Sequence, residues 1–587
     1  MRAPVGELTA VRLSPGLRSQ TWPRGAAIAV RRALGLLSLA AVVYLGASIA
    51  TGTAATPTRR VPSRLGGFPA WLRGPLDGVG LPLSREGFVF ALAAMFAAYV
   101  VALLCVGALR ARWTLGAVFL VHLVIFLGPP LLSADVIGYL DWARMGALHG
   151  LSPYTHDSGT VVSDAVFPFV RWDRFTSPYG PLFTLLSYAY VPLGLAASLW
   201  AMKATALLAS LGICGLIWEG AGRLGLNRGT AVALYGLNPT VIVYGLGGAH
   251  NDLLATAIVL AGAILVLRGR DGPGGAVSAL AVAVKASSAA VLPFLVLGAQ
   301  RRRGALAGVA AAAGGIALVA LAVFGAHAGS ALGVVGHQQS LEAGTTVIAQ
   351  LGDWLGYVGD PPVARAVAGA VLAVAMAVLL WRTWRGAPWL EAAAWATLAI
   401  LLTTSWLLPW YVVWLMPLAA LARGRTLRIA AVAMSAFVVT THLALVAAVP
   451  TSADLRPLVH PAACLGKRRT GCPGTGHATV PVVLGHALAR AFKLSYQAER
   501  RMVSGHLGRR PVRYAKARCR AASDTRWTCH VQYFLRGRRE RHRAAYAVAV
   551  DRRGCFAGTS ASFADRLRER VLDQPAINPL ARIHSCP

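Results

Sequence analysis

The chain has 587 residues, 56% of them apolar and only 14% charged, with a mean hydropathy of +0.56. A soluble globular protein carries about 25% charged residues, so this composition excludes a single soluble domain and points to a polytopic membrane protein. The charge is uneven: of 57 Lys and Arg against 23 Asp and Glu, residues 451–587 hold 26 of the bases, 8 of the acids and six of the eight cysteines.

Arg2, Arg12, Arg18, Arg24, Arg31 and Arg32 precede or open the first apolar run, at about 33–51. Positive residues flanking spans stay cytoplasmic, so residues 1–32 read as a cytoplasmic N-terminal segment. A basic start before an apolar run also describes a signal peptide, although this run is long for one. Spans at about 87–108 and 113–132 flank Arg110 and Arg112, which sets that turn inside and the loop 133–180 outside. Further spans are predicted near 195–218, 230–246 and 253–267. Both ends of 276–300 border basic clusters, Arg268 and Arg270 before, Arg301 to Arg303 after. Two half-helices with Lys285 near the tip satisfy both clusters better than one span does. Spans near 304–325, 363–381, 391–407, 410–422 and 429–449 complete the series.

The predicted fold class is an all-α polytopic domain over 33–450, with about 11–13 membrane segments, and a small α+β domain over 451–587. Counting spans places the C-terminal domain outside the cytoplasm, and its cysteines agree, since disulfides persist in oxidising compartments. Proximity and order favour Cys464 with Cys472, Cys519 with Cys529, and Cys555 with Cys586, out of fifteen possible connectivities. Cys105 and Cys214 read as buried thiols within spans. Residues 483–506 have a helical pattern, while Trp527, Cys529, Val531, Tyr533 and Tyr546, Val548, Val550 alternate as strands do. The basic tail suits acidic polymer or anionic lipid, and equally a solvated, disulfide-stapled appendage. Nucleic acid is not an expected partner outside the cell.

The unusual polar residues fall on one predicted side: Asp135, Tyr139, Asp141, Tyr154, Tyr179, His250, Asn251, Asp252, Lys285, His337, Gln338, Gln339, Trp410 and Tyr411. An acid where a membrane segment meets water is costly unless it interacts with something, and a carboxylate there can take a proton from an acceptor hydroxyl. Ammonium and imidazole can hold phosphate, and aromatic faces can stack on sugar. Each residue also has a plainer reading. Asp135 and Asp141 can be solvated loop acids, and the aromatic residues an interfacial belt. Asn251 or Asp252 can cap a helix, and Lys285 can snorkel.

Taken in order, Ser133-Ala134-Asp135-Val136-Ile137-Gly138-Tyr139, Gly150 to Thr155, Ser177-Pro178-Tyr179-Gly180-Pro181-Leu182, Asn238-Pro239, Gly247 to Asp252, Val284-Lys285-Ala286-Ser287 and Pro409-Trp410-Tyr411 form a set. With it the chain resembles the GT-C superfamily of polytopic glycosyltransferases, and within that the actinobacterial polyprenol-phosphomannose-dependent α-1,6-mannosyltransferases. The resemblance spans about residues 30–450. It implies a polyprenyl-phosphate mannose donor, an extracytoplasmic glycolipid or polysaccharide acceptor, inversion at the anomeric carbon, and Asp135 as base. Tyr139, Asp141, Tyr154, Tyr179, His250, Asn251, Asp252, Lys285, Trp410 and Tyr411 are then expected to bind substrate. No cofactor is expected and no metal ion is indicated, although Asp135, Asp141 and His250 could supply ligands if they converge. A transferase for another polyprenyl-phosphate sugar, such as a pentose, shares these motifs. A transporter or flippase for lipid-linked sugars is the non-enzyme alternative, although no internal repeat of the kind such proteins carry is visible.

Overall fold

The computed structural model describes residues 24–55, 70–325, 345–354 and 362–447, apart from 162–163 and 171–174, with helical residues between 484 and 496 and most of 512–585. His337, Gln338, Gln339 and the expected pairs Cys464–Cys472 and Cys555–Cys586 lie outside the described residues.

The helical part opens with α1 (Arg24–Ala55), α2 (Ala70–Arg73), α3 (Arg85–Cys105) and α4 (Ala111–Leu127). Ser84 starts α3 by accepting the Gly87 N–H at 2.9 Å, which satisfies a donor that the first turn leaves free. Next come α5 (Asp135–His149), α6 (Pro181–Tyr190), α7 (Leu195–Arg223) and α8 (Arg228–Gly236). A π-helical stretch, Thr240–Leu246, continues α8 after a 50° bend. Pro239, which lacks an N–H and cannot extend a straight helix, causes the bend. Asn238 then secures it, its side-chain oxygen accepting from Thr240 N–H (2.9 Å), Val241 N–H (3.2 Å) and the Ser435 hydroxyl (2.9 Å).

The remaining helices are α9 (Asp252–Leu267), α10 (Asp271–Val282), α11 (Leu292–Gly298), α12 (Arg302–Phe324), α13 (Val347–Trp354), α14 (Pro362–Trp384), α15 (Trp389–Thr403), α16 (Val412–Ala420) and α17 (Arg425–Ala447). Among the described residues, five helices are long and apolar enough to cross a membrane, and the bent pair makes six. Two of them, α12 and α14, expose Leu318, Leu321, Val371, Val374 and Trp381, a distribution that suits lipid and not water. The eleven to thirteen segments read from the sequence exceed this number for a local reason. Helices α4, α9 and α15 have 17, 16 and 15 residues, short of the ~20 that a hydrocarbon core takes. The chain also breaks at Lys285 and Pro409.

Residues 271–301 form the expected hairpin. The backbone N–H of Arg301 donates to the Asp271 carboxylate at 2.8 Å, so the two ends of the segment meet. Helix α10 rises about 18 Å from there, and Lys285, in extended backbone (φ −151°), stands at the turn. The basic residues gather at the opposite end. Glu219 takes Arg268 at 2.5 and 2.7 Å and Arg223 at 2.9 Å, and Arg423 reaches the Leu224 carbonyl at 3.3 Å. Helix α9 therefore runs from Asp252 to the basic end.

The C-terminal part is an antiparallel sheet of β1 (Val512–Ala521), β2 (Arg526–Leu535), β3 (Arg541–Val550), β4 (Phe556–Thr559) and β7 (Arg582–Ser585), in that spatial order. A separate pair joins β5 (Arg566–Val571) and β6 (Gln574–Ile577). Trp527, Cys529, Val531, Tyr533, Tyr546, Val548 and Val550 face inward with the helical residues Leu484, Leu488 and Phe492, as the alternation predicts. Cys519 and Cys529, directly opposite in the β1–β2 register, form a disulfide.

Candidate functional site

Asp135 is the first residue of α5, where the helix dipole favours a negative charge. Its own N–H donates to the Ser133 hydroxyl at 3.1 Å. The preceding loop is fastened to the Gly247–Asp252 segment: Leu131 N–H donates to the Gly247 carbonyl at 2.8 Å. That segment brings His250 Nδ1 to 3.4 Å from Asp135 Oδ2. His250 is fully buried and stacks on Trp410, with ring centroids 3.8 Å apart and planes 17° from parallel. Burial alone raises the proton affinity of Asp135. The His250 contact, then Lys285 and the Ser133 hydroxyl, outweigh it and hold the carboxyl below its ordinary range.

A second charged pair lies alongside. Lys285 Nζ donates to Asp252 Oδ2 at 2.8 Å, and the Trp414 indole N–H donates to Asp252 Oδ1 at 2.6 Å. The ammonium also lies 5.3 Å from the Tyr411 ring centre, 5.7 Å from Tyr179 and 5.8 Å from Trp414, within cation–π reach of all three. The Ser177–Pro181 segment straps onto the hairpin turn, with Gly180 N–H to Val284 O at 3.1 Å and Leu182 N–H to Ala283 O at 3.0 Å. Only glycine fits at 180, because a Cβ there would run into the Ala283 carbonyl.

These groups border one cavity of about 460 Å³. Asp135, Tyr179, Lys285, Trp410 and Tyr411 form its polar end. Thr256, Val259 and Leu260 on α9, Val291, Ile400 on α15, and Leu418 form an apolar limb. Leu260 lies eight residues beyond Asp252, about 12 Å further along the helix.

The other sequence-predicted residues stand behind this lining. Tyr139 donates to Asn251 Oδ1 at 3.3 Å and packs edge-on against Tyr179. Asn251 occupies the N-cap position of α9, yet its side chain caps nothing. Tyr154 bonds the Tyr179 carbonyl at 3.0 Å and Thr184 at 2.9 Å. His250 and Asp252 reach the cavity only through Asp135, Trp410 and Lys285. Asp141 does not join Asp135. It is buried elsewhere, accepts from the Ser158 hydroxyl at 2.5 Å, and burial, opposed by that bond, pushes its pKa up to about 6. Arg144 and His149 bind the neighbouring Asp164, each at 2.9 Å. The sequence reading missed Trp142, Trp406 and Trp414, all on the cavity wall. Helical spacing held the signal for two of them: Trp142 is seven residues from Asp135, and Trp414 four from Trp410.

Fold and site together define a multi-pass membrane protein with a cavity that joins paired charges and aromatic walls to an apolar interior. Two family models match the chain in tandem. Residues 32–301 match the alpha-(1->6)-mannopyranosyltransferase N-terminal domain, and residues 339–465 match the MptB C-terminal domain. The chain belongs to this actinobacterial alpha-(1->6)-mannopyranosyltransferase family. It is 31% identical over 340 residues to alpha-(1->6)-mannopyranosyltransferase A of Mycobacterium tuberculosis, covering 51% of this chain and 65% of that protein. It is 31% identical over 180 residues to the Corynebacterium glutamicum protein of the same name, covering 28% of this chain and 35% of that one. With alpha-(1->6)-mannopyranosyltransferase B of C. glutamicum it shares 27% over 362 residues, covering 53% and 59%. Each alignment spans less than two thirds of the relative's length. No solved structure matches the chain.

Proposed function

We propose that this protein transfers mannose from polyprenyl-phosphate mannose to an extracytoplasmic glycolipid or polysaccharide of the cell envelope, with inversion. The observation that carries this reading is the single cavity joining Asp135 and Lys285 to an apolar limb about two helical turns deep. A sugar phosphate occupies the charged end, and the first isoprenoid carbons of its lipid lie against Val259, Leu260, Val291 and Ile400.

An acceptor hydroxyl attacks the anomeric carbon on the face opposite the phosphate. The new carbon–oxygen bond forms as the bond to phosphate breaks; Asp135 takes the hydroxyl proton, and the polyprenyl phosphate leaves as an anion. Because Asp135 is held ionised, it needs no prior deprotonation. Its low proton affinity makes transfer late, when the attacking oxygen has become acidic. Lys285 offsets the charge that grows on the leaving phosphate, with Asp252 and Trp414 fixing its position. His250, behind Asp135, orients the carboxylate; Trp410 and Tyr411 offer ring faces to the sugar. The scheme requires no cofactor. The polar end of the hairpin then faces outward, opposite the basic, cytoplasmic end, and the C-terminal sheet lies on the same outer side.

The test is turnover by the purified protein with a panel of polyprenyl-phosphate sugars and an envelope glycolipid acceptor. Mannosyl transfer with inversion is the expected result. Transfer of a pentose alone overturns the donor, and lipid-sugar translocation without product overturns the enzyme.

A further inference from the structure

The C-terminal sheet has one covered face and one bare one. Helical residues Leu484, Leu488 and Phe492 cover the side of Trp527, Cys529 and Tyr546. The other side carries Lys516, Arg518 and Arg520 on β1, Arg526 on β2, and Arg541 and Arg543 on β3, all exposed. The register sets them on one plane: Lys516 stands opposite Gln532, which stands opposite Arg543, while Arg518 faces His530 and Arg520 faces Thr528. Among the described residues of this face there is no Asp or Glu, and none of the six cations has an acidic partner. Between them lie Ala545, Ala547, Ala549 and Ala557, a floor of methyl groups that leaves the long side chains standing clear. With about 4.8 Å between strands and about 6.8 Å between alternate residues, the cations spread in two dimensions.

We propose that this face docks flat on an anionic lipid surface, the headgroups of the bilayer that holds the helices. A plane of negative charge meets all six cations together, whereas a linear polymer follows a single row. The described aromatic rings of this face are the His530 imidazole and the half-buried Phe534, a narrow platform for stacking sugars beside six cations. Residues 448–483, 36 in number, separate the apolar helix α17 from Leu484, the first of the helical residues packed on the sheet, so headgroups are present at high effective concentration. The matched family segments end at residue 465, before β1. The contact is electrostatic and shallow, with Lys and Arg each adding an increment that salt screens.

The experiment uses the full-length protein in nanodiscs of phosphatidylcholine, with and without about 30% phosphatidylglycerol, and a fluorescent unnatural amino acid at Ala547 quenched by acrylamide. In the anionic discs the quenching constant should fall about threefold or more, and about 1 M NaCl, where the screening length is about 3 Å, should restore it. The triple variant K516Q/R518Q/R520Q should stay accessible in both discs. The salt jump tests the same contact on the unaltered sheet. Equal quenching in both discs overturns the proposal. Protection by soluble dextran sulfate in neutral discs, without protection by phosphatidylglycerol, overturns it in favour of a polymer partner.

Discussion

Leu132 and Ala249 are the two non-glycine residues among those described with positive φ, at 61° and 53°. They flank the hydrogen bond from Leu131 to Gly247. One precedes Asp135 by three residues and the other immediately precedes His250. Left-handed backbone costs a residue with a Cβ of order 1 kcal/mol or more and persists where the surroundings over-determine it. Here the cross-link does so, and it fixes the acid and the imidazole against each other.

Asp135→Asn should lower transfer about 10²- to 10⁴-fold, the usual weight of a general base. Donor binding and detergent-solubilised folding should be retained, because the amide keeps the shape. Product formation and donor binding, measured on the same preparation, check this; wild-type turnover would remove Asp135 from the mechanism.

His250→Gln removes the imidazole contact beside the Asp135 carboxylate. His250 helps hold the carboxyl low, so its loss raises the Asp135 pKa. A base is active when ionised, so the acid limb of the kcat/KM profile should move to higher pH. Titration of kcat/KM against pH reads the shift, and an unmoved limb would leave His250 a packing residue only.

Lys285→Met strips Asp252 of its cation and should cost stability as well as donor affinity. The double variant K285M/D252N removes both charges and should recover most of the thermal stability. It should still bind donor about 10- to 150-fold more weakly, the equivalent of a charge-assisted hydrogen bond. Recovery of donor affinity along with stability would show that the pair serves the fold.

The Asp141 carboxyl, raised from 3.8 to about 6, makes the folded chain bind more protons than the unfolded chain between those values. Stability should therefore decline as pH rises through that window, by at most about 3 kcal/mol, and stay lower above it. Asp141→Asn should flatten this part of the profile. Apparent melting temperatures at pH 4.5 and 7 for both proteins decide the matter; equal slopes would place the titrating group elsewhere.

The sequence made parts of this site legible because charge is scarce in an apolar chain. Asp135, His250, Asp252 and Lys285 stand out there, and the structure brings all four together. Asp141 stands out for the same reason but sits six residues from Asp135, about 120° around the helix, while Trp142 lies within about 20° of it. A tryptophan in an apolar run reads as packing, so the cavity wall was hidden. The hairpin was legible from basic clusters at both ends of 276–300, because one crossing cannot leave both on the same side. The partner of Lys285 was not, since nothing in spacing joins residue 252 to residue 285.

The bond between Asp271 and Arg301 turns α10 into a ruler. Both ends of the hairpin are fixed at the basic end, so the height and bearing of Lys285 depend on how many residues the rising arm contains. One residue more or fewer between Gly272 and Ala283 would shift the ammonium by about 1.5 Å and swing it by about 100°, away from Asp252 and out of the ring of Tyr179, Tyr411 and Trp414. A residue added in the turn at Arg268–Arg270, outside the hairpin, would leave the rise from Asp271 to Lys285 unchanged, though it would disturb the left-handed Gly269 and the Arg268–Glu219 pair.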